Sequence, residues 1–348
     1  MLRVTIRYPS PLRAGDRIGV TSPSSGVDAA LLPRLDVAVE VLRQRGFDVV
    51  VGECMDGQGV VSAPAADRAA ELTAMLVDPS IRAVIPPWGG ELAVEVLAHL
   101  DFRAIADADP TWLVGYSDIS TLLLPLTTLT GVATLHGQNL MDTPYRVPAP
   151  LASWLDVATS PVGAQVTQGA STAHRATGFD DWEADPTTTE PTFDTPGSWR
   201  LLDPGAGPVR ASGRLVGGCI ETVSILAGTP YGDLSAFADE HAPEGFIVYV
   251  EASGDGATDI ARDLWRMRLA GWFERADAVL VGRTRAPDVP GFTQLDAVRS
   301  ALGDLDLPVV LDVDCGHVPP HLALVNGALA DVSVRPDGSE QTITQSLT

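Results

Sequence analysis

The apolar positions in the first half of the chain follow two alternating periods. Short apolar runs typical of buried strands occur at 16–21, 47–52, 83–87 and 112–115. Apolar residues at helical spacing, typical of amphipathic helices, fill the intervening segments 31–45, 65–77 and 91–100. Strands that alternate with helices over short connections predict an α/β fold, in which a parallel sheet is covered by helices.

The second half resumes the same alternation after a long irregular segment. Strand-like runs occur at 209–216, 246–251, 278–282 and 308–312, and helical spacing at 220–227 and 258–274. Residues 160–208 are rich in Thr, Pro, Gly, Asp and Ser, but they carry Trp182 and Trp199. The tryptophans favour a functional loop over a disordered linker. We therefore expect an N-terminal domain over 1–160, a connecting loop over 161–208 and a C-terminal domain over 209–348.

One predicted strand ends in the pentad Gly115-Tyr116-Ser117-Asp118-Ile119, and an apolar helix-like segment follows it. A serine at such a strand–turn–helix corner exposes its hydroxyl, and the backbone N–H groups of the opening helix face whatever it attacks. The pentad matches only half of the G-x-S-x-G nucleophile motif, because Ile119 stands where the second glycine would be. The simpler interpretation is that Ser117 and Asp118 cap the helix.

A nucleophilic serine needs a base within hydrogen-bond reach and a third group that orients the base. Among the six histidines, His317 stands out because a strand-like run delivers it into a loop. A loop histidine without a catalytic role is the open alternative. His136 lies near the predicted sheet but in the same half as the serine, and His321 follows two prolines as a weaker competitor.

Two glutamates are candidates for the orienting acid. Glu251 closes a strongly apolar strand, where a buried charge is costly unless it has a partner, although it could also cap the next segment. Glu221 opens a helix, where a carboxylate is favourable in any case. Gly89-Gly90 follows a strand and allows close backbone approach. One of these amides, together with that of Asp118, would form an oxyanion hole.

Composition excludes several classes of function. The formal net charge of −22 over 348 residues argues against nucleic acid or an anionic membrane as partner. Every cationic residue is an arginine, so a Walker lysine, a Schiff-base lysine and a Ser–Lys dyad are excluded. The spacing of the three cysteines matches neither a disulfide framework nor a metal-binding motif. Without a signal-peptide pattern or a membrane-length apolar run, the default expectation is a soluble cytoplasmic protein.

Several segments of the chain form an ordered set. They are the Pro9–Ser24 opening, Trp88-Gly89-Gly90, Gly115-Tyr116-Ser117-Asp118, Gly217-Gly218-Cys219-Ile220-Glu221, the strand closing on Glu251, and Asp314-Cys315-Gly316-His317. Together they resemble the LD-carboxypeptidase family of serine peptidases over almost the whole chain. The resemblance implies a flavodoxin-like N-terminal domain with a smaller C-terminal α/β domain, a homodimer, and neither metal nor cofactor.

The resemblance also implies a set of catalytic residues. It assigns a Ser–His–Glu triad to Ser117, His317 and Glu251, with oxyanion donors on the backbone of Gly90 and Asp118. The N-terminal domain would then supply the nucleophile, and the C-terminal domain would supply the acid and the base. A catalytically silent protein that keeps this scaffold and sequesters a ligand is the alternative of another class.

Two branches of that family remain open for the substrate. One removes the terminal D-alanine from murein tetrapeptides, and the other resembles microcin C self-immunity proteins, which cleave aminoacyl-nucleotide-like amides. The tryptophan-bearing loop and the segment Trp199–Gly205 look more like the immunity branch, since aromatic rings stack on nucleobases. The candidate substrate contacts are Trp88, Trp182, Trp199, Glu221 and Arg283.

One departure from the immunity branch concerns recognition of an anion. That branch tends to carry a lysine shortly after the triad glutamate, whereas this chain reads Ala252-Ser253-Gly254-Asp255-Gly256. Arg283 or Arg285 would have to compensate if the substrate carries a negatively charged nucleotide portion.

Overall fold

The polypeptide forms two large β-sheets and a small third sheet. The computed structural model describes residues 6–348. The strands are β1 (Arg17–Val20), β2 (Asp48–Val51), β3 (Ile81–Val84), β4 (Trp112–Gly115), β5 (Thr134–His136), β6 (Gln165–Gly169), β7 (Ala173–His174), β8 (Thr195–Pro196), β9 (Arg200–Leu201), β10 (Val209–Cys219), β11 (Phe246–Glu251), β12 (Ala276–Gly282), β13 (Val309–Val313), β14 (Leu324–Asn326), β15 (Leu329–Val334) and β16 (Gln341–Ser346). The α-helices are α1 (Leu32–Gln44), α2 (Ala65–Val77), α3 (Phe102–Asp107), α4 (Ser120–Thr130), α5 (Trp154–Ala158), α6 (Ile220–Val223), α7 (Leu234–Glu240), α8 (Ala257–Leu269) and α9 (Gln294–Leu302).

The first sheet has the order β14-β5-β4-β3-β1-β2. All its pairings are parallel except that of β14 with β5. The order β2-β1-β3-β4-β5 is that of flavodoxin-like sheets, which confirms the fold predicted for this half. Such sheets bind ligands beyond the carboxyl ends of their strands, near the point where the strand order reverses between β1 and β3. The loops after β1, β3 and β4 lie at this edge.

The second sheet has the order β6-β16-β15-β10-β11-β12-β13-β9. Its four central strands, β10 to β13, are parallel, and antiparallel strands extend the sheet on both sides. Strands β11 and β13 end beside the site described below, because Glu251 is the last residue of β11 and His317 follows β13. The α/β class predicted for this half is therefore confirmed, with more antiparallel pairing than the sequence indicates.

The two sheets meet around α4. This helix is almost entirely buried, and the Cys219 backbone N–H at the end of β10 donates to Oγ of Ser120 at its start, at 3.1 Å. Strand β14 comes from the C-terminal part of the chain but pairs with β5 in the first sheet. The carboxyl ends of strands from both sheets therefore face a common region. The division of the chain at 160 and 208 stays a prediction.

Three helices expected from apolar spacing are shorter than predicted. The helix expected over 258–274 is α8, which ends at Leu269. The other two are interrupted or more tightly wound. The segment expected to be helical over 91–100 forms a 3-10 helix at Ala93–Ala98, and 220–227 divides into α6 and a 3-10 turn at Ser224–Leu226. Both lie at tight connections next to the carboxyl ends of strands, where the 3-10 helix is commonly used in short pieces. Within residues 6–348, none of the helices combines the length and apolar character that crossing a membrane requires.

Candidate active site

Ser117 lies at the predicted strand–turn–helix corner, between the end of β4 and the start of α4. Its backbone φ is +63°, a left-handed conformation that residues with a side chain rarely adopt and that is enriched at functional sites. The neighbouring Asp118 anchors the corner, because its Oδ2 accepts hydrogen bonds from Ser24 Oγ at 2.5 Å and from the Ala93 N–H at 2.7 Å. The Asp118 side chain is thus held by two other loops.

Ser117, His317 and Glu251 form one continuous hydrogen-bonded chain. Ser117 Oγ lies 2.9 Å from His317 Nε2, and His317 Nδ1 lies 2.8 Å from Glu251 Oε2. The Glu251 side chain is fully buried, and that of His317 is 17% exposed. Gly316 lets the loop pass close to the acid: its φ is +91°, and a Cβ there would lie 2.1 Å from Glu251 Oε2. The structure therefore brings together the three side chains that the sequence singled out.

The charges on the hydrogen-bonded side chains of His317 and Glu251 stabilise one another. Burial by itself lowers the pKa of His317, but the Glu251 carboxylate, with smaller contributions from Glu221 and Asp142, outweighs that effect and holds the pKa above its ordinary value. Burial by itself raises the pKa of Glu251, but His317 and His136 outweigh it and hold the pKa well below its usual range. A carboxylate that stays ionised when buried keeps the imidazole oriented and favours its protonated form.

The glycine pair after β3 lies against the serine. A Cβ on Gly89 would come within 2.8 Å of Ser117 Cβ and 2.9 Å of its Oγ. Gly90 has a φ of +147°, and a Cβ on it would collide with Ser24 and Ser25. Only a residue without a side chain fits at either position, so the backbone of this loop reaches the serine directly.

Ser117 and His317 open onto a cavity of about 1010 Å³. Its wall has an aromatic part formed by Trp88, Tyr145, Phe179, Trp182 and Phe193. Its acidic residues are Glu91, Asp142, Asp180, Asp181, Glu183, Glu221 and Asp255, and its basic residues are Arg146 and Arg175. Both arginines are paired with carboxylates, Arg175 with Asp180 at 2.5 Å and Arg146 with Glu190 at 3.1 Å. The cavity therefore has an excess of negative charge.

Three of the predicted substrate contacts line this cavity: Trp88, Trp182 and Glu221. The Trp88 Nε1–H donates to the carbonyls of Ser25 and Gly26, and the Trp182 Nε1–H donates to the Tyr145 hydroxyl at 2.7 Å. Oε1 of Glu221 accepts the backbone N–H groups of residues 253–255, at 2.7, 3.0 and 3.3 Å. Glu221 therefore fixes the loop that follows Glu251.

The structure corrects the expectation for Trp199 and Arg283, which are absent from the cavity wall. Trp199 is 3% exposed and packs in the core of the second sheet, with its Nε1–H donating to Asp314 Oδ2 at 2.8 Å. Arg283 pairs with the other oxygen of Asp314 at 2.5 Å. A buried carboxylate needs such partners, and both side chains are engaged in supplying them. Arg285 stacks on Phe179, with 4.2 Å between its guanidinium carbon and the ring centre.

Three further residues lie near the serine: Tyr116 and Asp142, which the sequence did not single out, and His321, which it offered as a weaker competitor of His317. The Tyr116 ring lies edge-on to His317, with ring centres 5.1 Å apart. Burial raises the pKa of Asp142 to about 6, and burial together with His317 lowers the pKa of His321 to about 3. Tyr116 adjoins the serine and was recognisable from that position. Asp142 arrives by tertiary folding, for which the local sequence holds no signal.

Cys219, Glu251 and His317 are the group among the described residues whose ligand atoms lie close enough to hold a metal ion, within 4.8 Å of one another. Burial and the neighbouring carboxylates Glu251 and Glu221 raise the pKa of the Cys219 thiol well above its ordinary value. Metals bind the thiolate, so a thiol that resists ionisation is a poor ligand. The donor set fits a hydrogen-bonded chain better than a metal centre.

Family models match both halves of the chain. Residues 18–137 match the LD-carboxypeptidase N-terminal domain, and residues 212–332 match the LD-carboxypeptidase C-terminal domain. The chain belongs to the LD-carboxypeptidase family.

Relatives within the LD-carboxypeptidase family fall into more than one branch. The microcin C7 self-immunity protein MccF of Escherichia coli is 26% identical over 91% of this chain and 90% of its own length. The murein tetrapeptide carboxypeptidase of Pseudomonas aeruginosa is 25% identical over 72% of this chain and 71% of its own. In structure, an MccF-like protein from Bacillus anthracis matches with a TM-score of 0.79 at 21% identity, covering 97% of this chain and 98% of that one. This likeness confirms the two-part fold.

Proposed function

We propose that this LD-carboxypeptidase homologue is a serine hydrolase that cleaves a peptide or amide bond through Ser117, His317 and Glu251. One observation carries the proposal: the unbroken chain from Ser117 Oγ through the imidazole to the buried carboxylate, with links of 2.9 and 2.8 Å. A helix cap needs neither the histidine nor the acid. The same three groups in this order perform acyl transfer on several unrelated folds.

In the proposed mechanism, His317 Nε2 takes the hydroxyl proton while Ser117 Oγ bonds to the carbonyl carbon of the substrate. The N–H groups of Gly90 and Asp118 hold the oxyanion, a contribution of about 3–4 kcal/mol for such a donor. His317 then passes its proton to the leaving amine as the carbon–nitrogen bond breaks. Water, deprotonated by the same imidazole, releases the acyl group and returns the proton to Ser117. Glu251 stabilises the imidazolium in both halves of the cycle.

For the substrate, we propose an aminoacyl group joined by an amide-type bond to a nucleotide-like leaving group. Three observations support this class: the aromatic wall of the cavity, its excess of negative charge, and the relation to MccF. MccF has been solved with aspartyl sulfamoyl adenosine and with glutamyl sulfamoyl guanosine. A free α-ammonium on the acyl group suits an acidic cavity. With Asp255 in the wall, we expect neutral acyl side chains to be accepted better than acidic ones.

The test combines a serine probe with a choice of substrates. We expect an organophosphonate probe to label the wild-type protein but not Ser117→Ala. We expect alanyl-sulfamoyl adenosine to be hydrolysed with a kcat/KM at least tenfold above that for aspartyl-sulfamoyl adenosine and for a murein tetrapeptide. Preferred release of D-alanine from the murein tetrapeptide would instead assign the murein branch. A protein that binds these compounds without labelling or turnover would be a silent ligand-binding member, contrary to the proposal.

Gly89→Ala is expected to reduce kcat/KM by about 100-fold, because misplacing reacting groups by about 1 Å has an effect of that order. The new methyl group would lie 2.8 Å from Ser117 Cβ, so the serine or the glycine loop has to move. Steady-state kinetics on the preferred substrate measures the loss. Gly207→Ala is the matched control, because a Cβ there meets nothing within 4 Å. Equal activity of the two variants would show that the close approach of this loop has no catalytic consequence.

A further inference from the structure

Only one oxygen of Glu251 is used by the Ser117–His317–Glu251 chain. Oε2 binds His317, whereas Oε1 is buried and has no hydrogen-bond partner among the described residues. A complementary group faces it: His136, at the end of β5, has its Nε2 3.8 Å from Oε1. His136 is 1% exposed, and both its ring nitrogens also lack a partner among the described residues.

Two unpaired buried groups that face each other are an unstable arrangement. Leaving a buried polar atom without a partner has an energetic cost of about 1–3 kcal/mol, and more for a charged group. The 3.8 Å gap is shorter than the roughly 4.5 Å that two hydrogen bonds through one water span. A shift of less than 1 Å in the two side chains closes it to a direct hydrogen bond. Direct pairing is the arrangement that satisfies both atoms.

The surroundings hold His136 in position for this pairing. The Tyr249 ring lies edge-on to it, with ring centres 5.2 Å apart, and the Tyr116 ring lies at 6.3 Å on another side. The backbone of His136 is fixed between two strands, since it pairs with Gly115 of β4 and with Leu324 of β14. The ring therefore has little freedom to turn away from the carboxylate.

We propose that His136 is a positioning residue whose Nε2–H donates to Oε1 of Glu251 and extends the chain to Ser117–His317–Glu251–His136. The inference rests on the proposed function, because it assigns His136 a role in orienting the acid of that triad. With both oxygens held, the carboxylate cannot rotate about its terminal bond, so Oε2 stays aligned with His317 Nδ1. The N-terminal half would then supply the serine and this donor, and the C-terminal half the acid and the base.

A second effect supports the same assignment. Burial opposes ionisation of Glu251, and His136 is among the groups that lower its pKa against that burial, after His317. A fixed donor to the second oxygen helps to keep the carboxylate charged where water is excluded. The charged carboxylate is the form that stabilises the imidazolium during turnover.

The test compares two substitutions that differ in one hydrogen-bond donor. We expect His136→Leu to lower kcat by about 10- to 100-fold while KM changes little, because orientation and not binding is lost. His136→Gln keeps an N–H donor at the position of Nε2, and we expect it to recover most of that loss. Equal kcat for His136→Leu and wild type, with Ser117→Ala inactive in the same assay, would overturn the role of His136 and leave the proposed function intact.

Two controls separate positioning from folding. His241→Leu removes another buried histidine that does not line the cavity, so its melting temperature is expected to fall without loss of kcat. Nitrogen-15 NMR of the wild-type protein detects the hydrogen bond between His136 and Glu251 directly, so this measurement does not depend on the folding of any variant. We expect His136 to carry its proton on Nε2, with a proton shift typical of a bond to a carboxylate. A proton on Nδ1 alone would refute the inference, whatever the kinetics show.

Discussion

Replacing Ser117 with alanine is expected to lower kcat by about 10⁴-fold or more, with little effect on substrate affinity. In the proposed mechanism, the Ser117 hydroxyl supplies the atom that bonds to the substrate carbonyl, and its Oγ lies 2.9 Å from His317 Nε2. Alanine keeps the Cβ, so the strained φ of +63° is unchanged and the fold is expected to survive. Single-turnover kinetics gives the rate, and calorimetry with the uncleaved substrate gives the dissociation constant.

Ser253→Ala is the matched control, because this serine lines the same cavity but is held through its backbone N–H. We expect its kcat to stay within about twofold of wild type, as for surface substitutions away from special features. Turnover by Ser117→Ala at a comparable rate would exclude a covalent serine mechanism. It would leave His317 and Glu251 to activate water directly.

Several local features of both sheets were predictable from the sequence. Helix α2 and strands β4 and β11 begin and end where apolar periodicity predicts, because their buried faces are encoded by residues near one another in the chain. The corner at Ser117 was predictable for the same reason. A strand followed at once by an apolar helix leaves only a short turn, and the serine occupies it.

The later strands and several side-chain roles were not predictable in the same way. Strands β14 and β16 show little alternation of apolar and polar residues, and β14 is stabilised by pairing with β5, nearly 200 residues earlier. Trp199 has the residue type of a ligand contact, and only the packing of the second sheet shows that it serves Asp314 instead. The sequence assigned no role to His136, because Glu251, the carboxylate that its ring faces, lies more than 100 residues away in the chain.

Glu251→Gln is expected to lower kcat by about 10³- to 10⁴-fold and to displace the acid limb of the pH profile. The acid limb of the pH profile of kcat/KM reports the pKa of the base in the free protein. The base has to be neutral to accept the serine proton. In the wild type the Glu251 carboxylate holds the pKa of His317 above its ordinary 6.5, so activity is lost as the pH falls through a value above 6.5. Glutamine removes the charge but not the burial, and burial lowers the pKa.

The acid limb of the Glu251→Gln variant therefore moves to lower pH even though its plateau is far lower. In the proposed mechanism these two changes have one cause, because the charge that makes His317 easier to protonate also stabilises the imidazolium formed during turnover. Glu183→Gln, an exposed carboxylate of the same cavity, is the control and should leave both limb and plateau nearly unchanged. If the acid limb of the Glu251→Gln variant lies at the same pH as that of the wild type, a group other than Glu251 sets the pKa of His317. A displaced limb with an unchanged plateau would mean that stabilisation of the imidazolium does not limit the rate.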